Sequence, residues 1–262
     1  MSLALLLPAV FLIAVFMTIA GRGGGNFYVL VQVFAGASMH LAAATGQFIM
    51  CFTALAALVI FQRHKIVAWP MALFLGFTAS LMAFFGGLFA HLFTGTFLKL
   101  LFASLLVVAS LLMLYPVSER RTRAPGRGGR GRWSFRSGDT EIRVNLWVAT
   151  PFALATGFVA GMVGVSGGSF LIPLMVLACG MPMKLAVGTA SVMVGATAAM
   201  GFLGHAVQGG VDWAWALPQV PVAVIGGLIG GKLALATKPR ILKKVFAFTT
   251  LAAAAFMFAQ GL

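Results

Sequence analysis

Gly164-Val165-Ser166-Gly167-Gly168-Ser169-Phe170 breaks apolar sequence with glycine, and a short apolar run, Leu171 to Ala178, follows before Gly180-Met181-Pro182. The same pattern stands earlier as Gly21-Arg22-Gly23-Gly24-Gly25-Asn26-Phe27, followed by Tyr28 to Ala35 and Gly36. Two copies of one unusual feature point to a duplicated chain. A shift of about 144 positions superimposes His40–Tyr115 on Lys184–Phe258 with almost no gap. It pairs Leu41 with Leu185, Thr45 with Thr189, Thr53 with Thr197, Trp69 with Trp213, Gly86 with Gly230 and Lys99 with Lys243.

The material between these breaks belongs in a membrane. Of the residues, 61% are hydrophobic and 8% are charged, where a soluble domain carries about a quarter charged. Several apolar runs approach the roughly 20 residues that an α-helix needs to cross the hydrocarbon core. They lack strict alternation, which means helices rather than a barrel. Leu3 to Ala20 has no basic n-region and reads as a retained helix, not a signal peptide. The first half continues with the short Phe27–Ala35, then Leu41–Phe61, Val67–Phe93 and Phe97–Pro116. The second half repeats the order as Leu146–Val163, Phe170–Ala178, Leu185–Gly204, Trp213–Thr237 and Ile241–Ala259. Cys51 and Cys179 stand at non-equivalent positions in apolar surroundings and read as two buried thiols.

The formal charge of +14 is concentrated. Arg120, Arg121, Arg123, Arg127, Arg130, Arg132, Arg136 and Arg143 all lie in one Gly-rich segment, Ser118 to Asn145, which reads as a flexible linker. No stacking module accompanies it, so its expected partner is anionic lipid, not nucleic acid. With this linker placed in the cytoplasm, five crossings per half put Arg22, the Arg63-His64-Lys65 turn, Lys184 and the Lys238–Lys244 cluster on the same side. Four crossings per half would leave that last cluster outside. The expected fold is therefore an all-α integral membrane protein of two inverted repeats, each of about five transmembrane helices. Its parts are residues 1–117, the cytoplasmic linker 118–145 and residues 146–262, with both termini outside the cytoplasmic membrane.

Inverted repeats with broken helices are the architecture of transporters, whose sites lie near the midplane where the repeats meet. Each short helix starts just after its glycines, with Asn26 and Ser169 expected as N-caps. Unpaired N–H groups and the helix dipole make such a start attractive to an anion. The expected binding residues are Gly24, Gly25, Asn26, Gly167, Gly168 and Ser169. Thr45, Gln47, Thr189 and Ser191 on the following helices would complete the anion's oxygen shell. Arg22, inside the first break, has two readings: contact with the cargo, or snorkelling to the cytoplasmic surface. Gly157, Gly161, Gly86, Gly87, Gly226, Gly227, Gly230 and Gly231 suit close helix packing.

His40, His64, His91 and His205 show no metal-ligand spacing, so neither a metal nor a cofactor is expected; His205 could carry a proton. The acidic residues are Glu119, Asp139, Glu141 and Asp212, three of them in the linker. The absence of an intramembrane carboxylate pair argues against an aspartyl hydrolase and against cation uptake through a carboxylate relay. A permease for neutral or cationic metabolites or drugs would want such a carboxylate. A non-transporting scaffold would use the Arg-rich linker as its working part. A homo-oligomer is compatible with the sequence.

Gly161-Met-Val-Gly164-Val-Ser-Gly167-Gly168-Ser-Phe-Leu-Ile-Pro173, followed by Ala186-Val-Gly-Thr189-Ala-Ser191, resembles the TauE/SafE family of sulfite-exporter-like permeases. His205 and Gly210-Val-Asp212-Trp213 occupy familiar places after that motif. The resemblance covers essentially the whole chain and is strongest from Gly157 onward. It implies a small inner-membrane transporter, no enzyme, that exports sulfite or related anions such as organosulfonates. Two departures bear on cargo preference: Arg22 in the first break, and Leu30 where the second half has Pro173.

Overall fold

The computed structural model describes residues 3–21, 23–94, 131–137, 140–165, 167–207, 209 and 211–238, with scattered positions within 96–111 and 240–255. The first half holds α1 (Leu3–Ile19), α2 (Gly25–Phe34), α3 (Met39–Arg63) and α4 (Trp69–Phe89), the last ending in a 3-10 turn, Ala90–Leu92. A hairpin of β1 (Arg132–Ser137) and β2 (Thr140–Asn145) leads into α5 (Leu146–Val163). The second half continues with α6 (Gly168–Pro173), α7 (Met183–Val207), α8 (Trp213–Ala216) and α9 (Gln219–Ala236). The regions expected to form the fifth helix of each half lie mostly outside the described residues, although Ser110 Oγ donates to the Ala247 carbonyl at 2.8 Å.

Met39–Arg63, Trp69–Leu92, Leu146–Val163, Met183–Val207 and Trp213–Ala236 are long and apolar enough to cross a membrane. At about 1.5 Å per residue, the 25 residues of α3 and of α7 exceed the roughly 30 Å hydrocarbon core. These two helices begin and end 144 positions apart, as the duplication expects. The run expected as Trp213–Thr237 instead turns at Leu217–Pro218 between α8 and α9. Pro218 and Pro221 lack the N–H that a continuous ladder needs, and Gln219 Nε2 takes the Trp215 carbonyl at 2.9 Å. Pro173 has a similar effect on α6, which passes into a π-helical turn, Leu174–Ala178, with Cys179 N bonded to Leu174 O at 3.2 Å.

The expectation that 118–145 has no packed structure is corrected over its last part. Trp133, Phe135, Ile142 and Val144 alternate with Ser134, Arg136, Glu141 and Arg143, and the strands pair antiparallel with Phe135 opposite Ile142. That period of two gives the hairpin one apolar face. Ile142 and Val144 are fully buried in the same cluster as Met71 and Leu75 of α4 and Ile172 of α6. Trp133 meets Phe74 edge to face at 5.7 Å between ring centroids. The rule that Gly- and Arg-rich sequence does not build a core holds poorly once a short alternating stretch finds an apolar surface to cover.

Small residues set how the helices run. Gly157 and Gly161 of α5 leave no room for a methyl against the Ala79 and Ala83 carbonyls of α4, so these helices are parallel and in close contact. Gly76 faces Met193 and Gly87 faces Gly201, which makes α4 parallel to α7 as well. The other set mirrors this: Gly226 and Gly230 of α9 face Ala14 and Val15 of α1, and Gly227 and Gly231 face Thr53 and Ile60 of α3. The fourth helix of each half thus packs on the first and third helices of the other half. The two sets meet through α3 and α7. There Gln47 faces Gly201 while Ala54 and Leu55 face Gly195, so these equivalent helices run antiparallel.

Because α1 and α3 both run alongside α9 in one sense, the chain must return between them. The return is made by the first glycine break and α2. The second break and α6 do the same between α5 and α7. The charges sort accordingly. Arg63 and Lys65, Lys184, Lys238 and the hairpin lie toward one end of the bundle, while His40, His91, His205 and Asp212 lie toward the other.

Candidate functional site

The two breaks meet. A methyl added to Gly168 would stand 3.2 Å from the Gly21 carbonyl oxygen and 2.6 Å from Val194 Cγ2. One added to Gly23 would stand 2.6 Å from Val194 Cγ1 and 3.1 Å from Met50 Cγ. Met50 is the twelfth residue of Met39–Arg63 and Val194 the twelfth of Met183–Val207, so this meeting point is at mid-depth of both long helices. One face of α7 carries the whole arrangement. Ala190 and Val194 touch Gly168, Thr197 lies 3.5 Å from the position of a Gly167 methyl, and Gly201 makes room for the Gln47 amide.

The helix starts are made by glycine. Gly24 is the N-cap of α2, with φ 93, and Gly167 is the N-cap of α6; neither makes a side-chain cap bond. This corrects the expectation for Asn26 and Ser169, which fall at the second helical position, two residues past the cap. At φ 93 a side chain is strained, and a methyl on Gly24 would also strike the Tyr28 ring. Arg22 and the side chains of Asn26 and Ser169 lie outside the described residues.

The remaining expected residues divide. Thr45 is buried, and its Oγ1 has no partner among the described residues. Gln47 donates from Nε2 to the carbonyls of Ala160 (3.2 Å) and Gly161 (3.4 Å), in the last turn of α5 before the second break. Its buried Oε1 is unpartnered among the described residues. Thr189 is occupied in the packing: Oγ1 accepts from Ala68 N at 3.0 Å and donates to Leu185 O at 2.7 Å. Ser191 donates to its own helix at Val187 O, 3.3 Å away. Thr45 and Thr189, equivalent in sequence, are therefore in different chemical situations. His205 sits beside Gln47, with Nε2 3.0 Å from the Gly161 carbonyl.

A profile of the family described as "Sulfite exporter TauE/SafE" matches residues 6–257. The chain belongs to that family. It is a multi-pass membrane transporter rather than an enzyme. Among its relatives, "Probable membrane transporter protein YunE" of Bacillus subtilis (strain 168) is 24% identical over 225 residues, covering 82% of each chain. A "Probable membrane transporter protein" of Xylella fastidiosa (strain Temecula1 / ATCC 700964) is 27% identical over 240 residues, 90% of this chain and 87% of the relative. The protein of the same description from strain 9a5c matches to the same extent. No solved structure matches the chain.

This TauE/SafE transporter also holds polar groups that sequence reasoning passed over. Tyr28 places its hydroxyl 2.9 Å from Thr53 Oγ1, closing off the first-half threonine whose counterpart, Thr197, lies beside Gly167. Gln32, fully buried on α2, donates from Nε2 to Gln219 Oε1 at 2.6 Å and accepts from Trp215 Nε1 at 2.6 Å. The network ties the first short helix to α8 and α9. Equivalent positions in the other half are Met175, Leu75 and Met71, so the latch exists on one side alone. Lone amides in apolar runs were the available signal, since a buried amide requires partners. Among the described residues, no group of His, Cys, Asp and Glu could hold a metal ion, and both cysteines are free thiols.

Proposed function

We propose that this transporter exports small sulfur-containing anions, such as sulfite or organosulfonates, across the cytoplasmic membrane by alternating access. The observation that carries this reading is the convergence of two glycine-led helix starts at mid-depth, against Val194 and Met50. Helix N-termini direct unpaired N–H groups and a positive dipole end toward a bound anion, and glycine lets its oxygens approach the backbone. No acidic side chain lies in the five long spans, so an anion would meet no opposing carboxylate there.

The halves are read as inverted repeats. Support comes from the antiparallel course of α3 and α7 and from the exchange of fourth helices between halves. Rocking of one parallel set of helices against the other would then open the midpoint to each side in turn. The basic end of the bundle is assigned to the cytoplasm by the positive-inside tendency, with the hairpin and the Arg-rich segment before it beside anionic lipid.

Purified protein in liposomes tests this reading. Radiolabelled sulfite, methanesulfonate and thiosulfate should exchange across the bilayer, at least one of them well above protein-free vesicles. Absence of flux for all three, from protein that remains folded, would rule the cargo class out.

A further inference from the structure

We infer that His205 is the proton-binding group of the transport cycle and that a proton moves together with the anion. The inference rests on the transport reading above and adds its coupling. His205 is buried near the end of α7, on the face that also presents Thr197 to the second break and Gly201 to the Gln47 amide. Its Nε2 must be the donor to Gly161, since a carbonyl oxygen only accepts. That fixes the tautomer and puts the ring's basic lone pair on Nδ1, the atom that takes the arriving proton. Gln47 holds the same carbonyl from the other half, so the histidine stands at the joint between α3, α5 and α7.

The groups around it leave few rivals. The four acidic residues lie outside the long spans. From α3, His40 stands exposed at the helix start. From α4, His91 lies exposed beyond the helix end and bonds the Leu88 carbonyl at 2.9 Å. Asp212 is the exposed cap of α8, bonded to Trp215 N at 3.1 Å. Neither α5 nor α6 carries a titratable side chain. His205 is thus the buried imidazole.

The distance suits coupling. Thr197 and His205 are eight residues apart on α7, roughly 12 Å of rise. At that separation and an effective dielectric constant of about 20, a unit positive charge at His205 strengthens anion binding about tenfold. Linkage makes this reciprocal: a bound anion favours the protonated imidazole by the same factor. Proton and anion therefore load as a pair.

The test uses proteoliposomes containing a pH-sensitive dye, with methanesulfonate as cargo because it carries no proton of its own near neutral pH. A methanesulfonate gradient across wild-type vesicles should acidify the compartment that the anion enters. In His205→Gln, an amide N–H can still reach Gly161 but cannot titrate; the protons moved per anion, normalised to labelled exchange, should fall to the protein-free background. His40→Gln should retain the coupling. Wild-type anion flux without a pH change, or undiminished proton movement in His205→Gln, overturns the inference while leaving the transport reading intact. Failure of every anion to move in the wild type removes both. A measurement independent of the variants is methanesulfonate binding by thermal shift in the wild type, which should tighten on acidification; affinity that is flat with pH also overturns the inference.

Discussion

At the scale of single residues, Gly24 and Gly36 offer a controlled comparison. Both have positive φ, 93 and 100, so a side chain at either position is strained by about 1–2 kcal/mol. A methyl at Gly36 would meet nothing within 4 Å, whereas one at Gly24 would stand 2.8 Å from the Tyr28 ring. Gly24→Ala should therefore lower the unfolding temperature more than Gly36→Ala and should also abolish most of the flux, because Tyr28 and the start of α2 must shift. Equal effects on melting and transport would show that the close approach at Gly24 does not matter. Gln47 adds a second lesson at this scale. The sequence offers it as a donor to an anion, yet its donor is taken by Ala160 and Gly161 and its free atom is an acceptor. It therefore joins α3 to the helix before the second break more directly than it could hold an anion.

At the scale of elements, the hairpin is the piece that composition conceals. Its segment reads as charged and glycine-rich, and only the alternation of Trp133, Phe135, Ile142 and Val144 distinguishes it from the arginines before it. Ile142→Asp would bury a carboxylate where the side chain is fully enclosed, at an expected cost of more than about 3 kcal/mol. Ser134→Asp on the exposed face should stay within about 0.5 kcal/mol. Thermal unfolding in detergent compares the two; equal melting would mean that the hairpin contributes nothing to the folded bundle. The short helices show the opposite case. Their existence and position were legible, because glycine followed by a nine-residue, mostly apolar run leaves few alternatives. Their caps are glycines and not Asn26 or Ser169: Gly24 supplies the left-handed backbone that starts α2, and Gly168, next to the cap Gly167, allows the close approach to Val194.

At the scale of the whole molecule, the antiparallel contact of α3 with α7 is what supports the proposed inverted relation of the halves. A methyl on Gly195 would stand 3.6 Å from Ala54 Cβ, within the Cβ separation of a disulfide. In a background lacking Cys51 and Cys179, the pair Gly195→Cys and Ala54→Cys should cross-link on mild oxidation. If the two helix sets rock during transport, flux should stop on oxidation and return on reduction. Failure to cross-link would contradict the antiparallel register; cross-linking with undiminished flux would contradict rocking at this contact.

The sequence by itself determined the membrane class, the duplication, the position of both breaks and the bounds of most long helices. These follow from local causes: apolar runs of spanning length, glycine against its neighbours and a repeated order. It also placed the packing glycines, since small residues at helical spacing have one main use in lipid. Tertiary structure decided which polar groups remain free. Thr45 and Thr189 are the same residue at equivalent positions, but Ala68 N comes within 3.0 Å of the Thr189 hydroxyl while that of Thr45 has no partner among the described residues. Whether a hydroxyl or amide is available to a ligand depends on what the rest of the chain brings to it, and a one-dimensional pattern does not contain that.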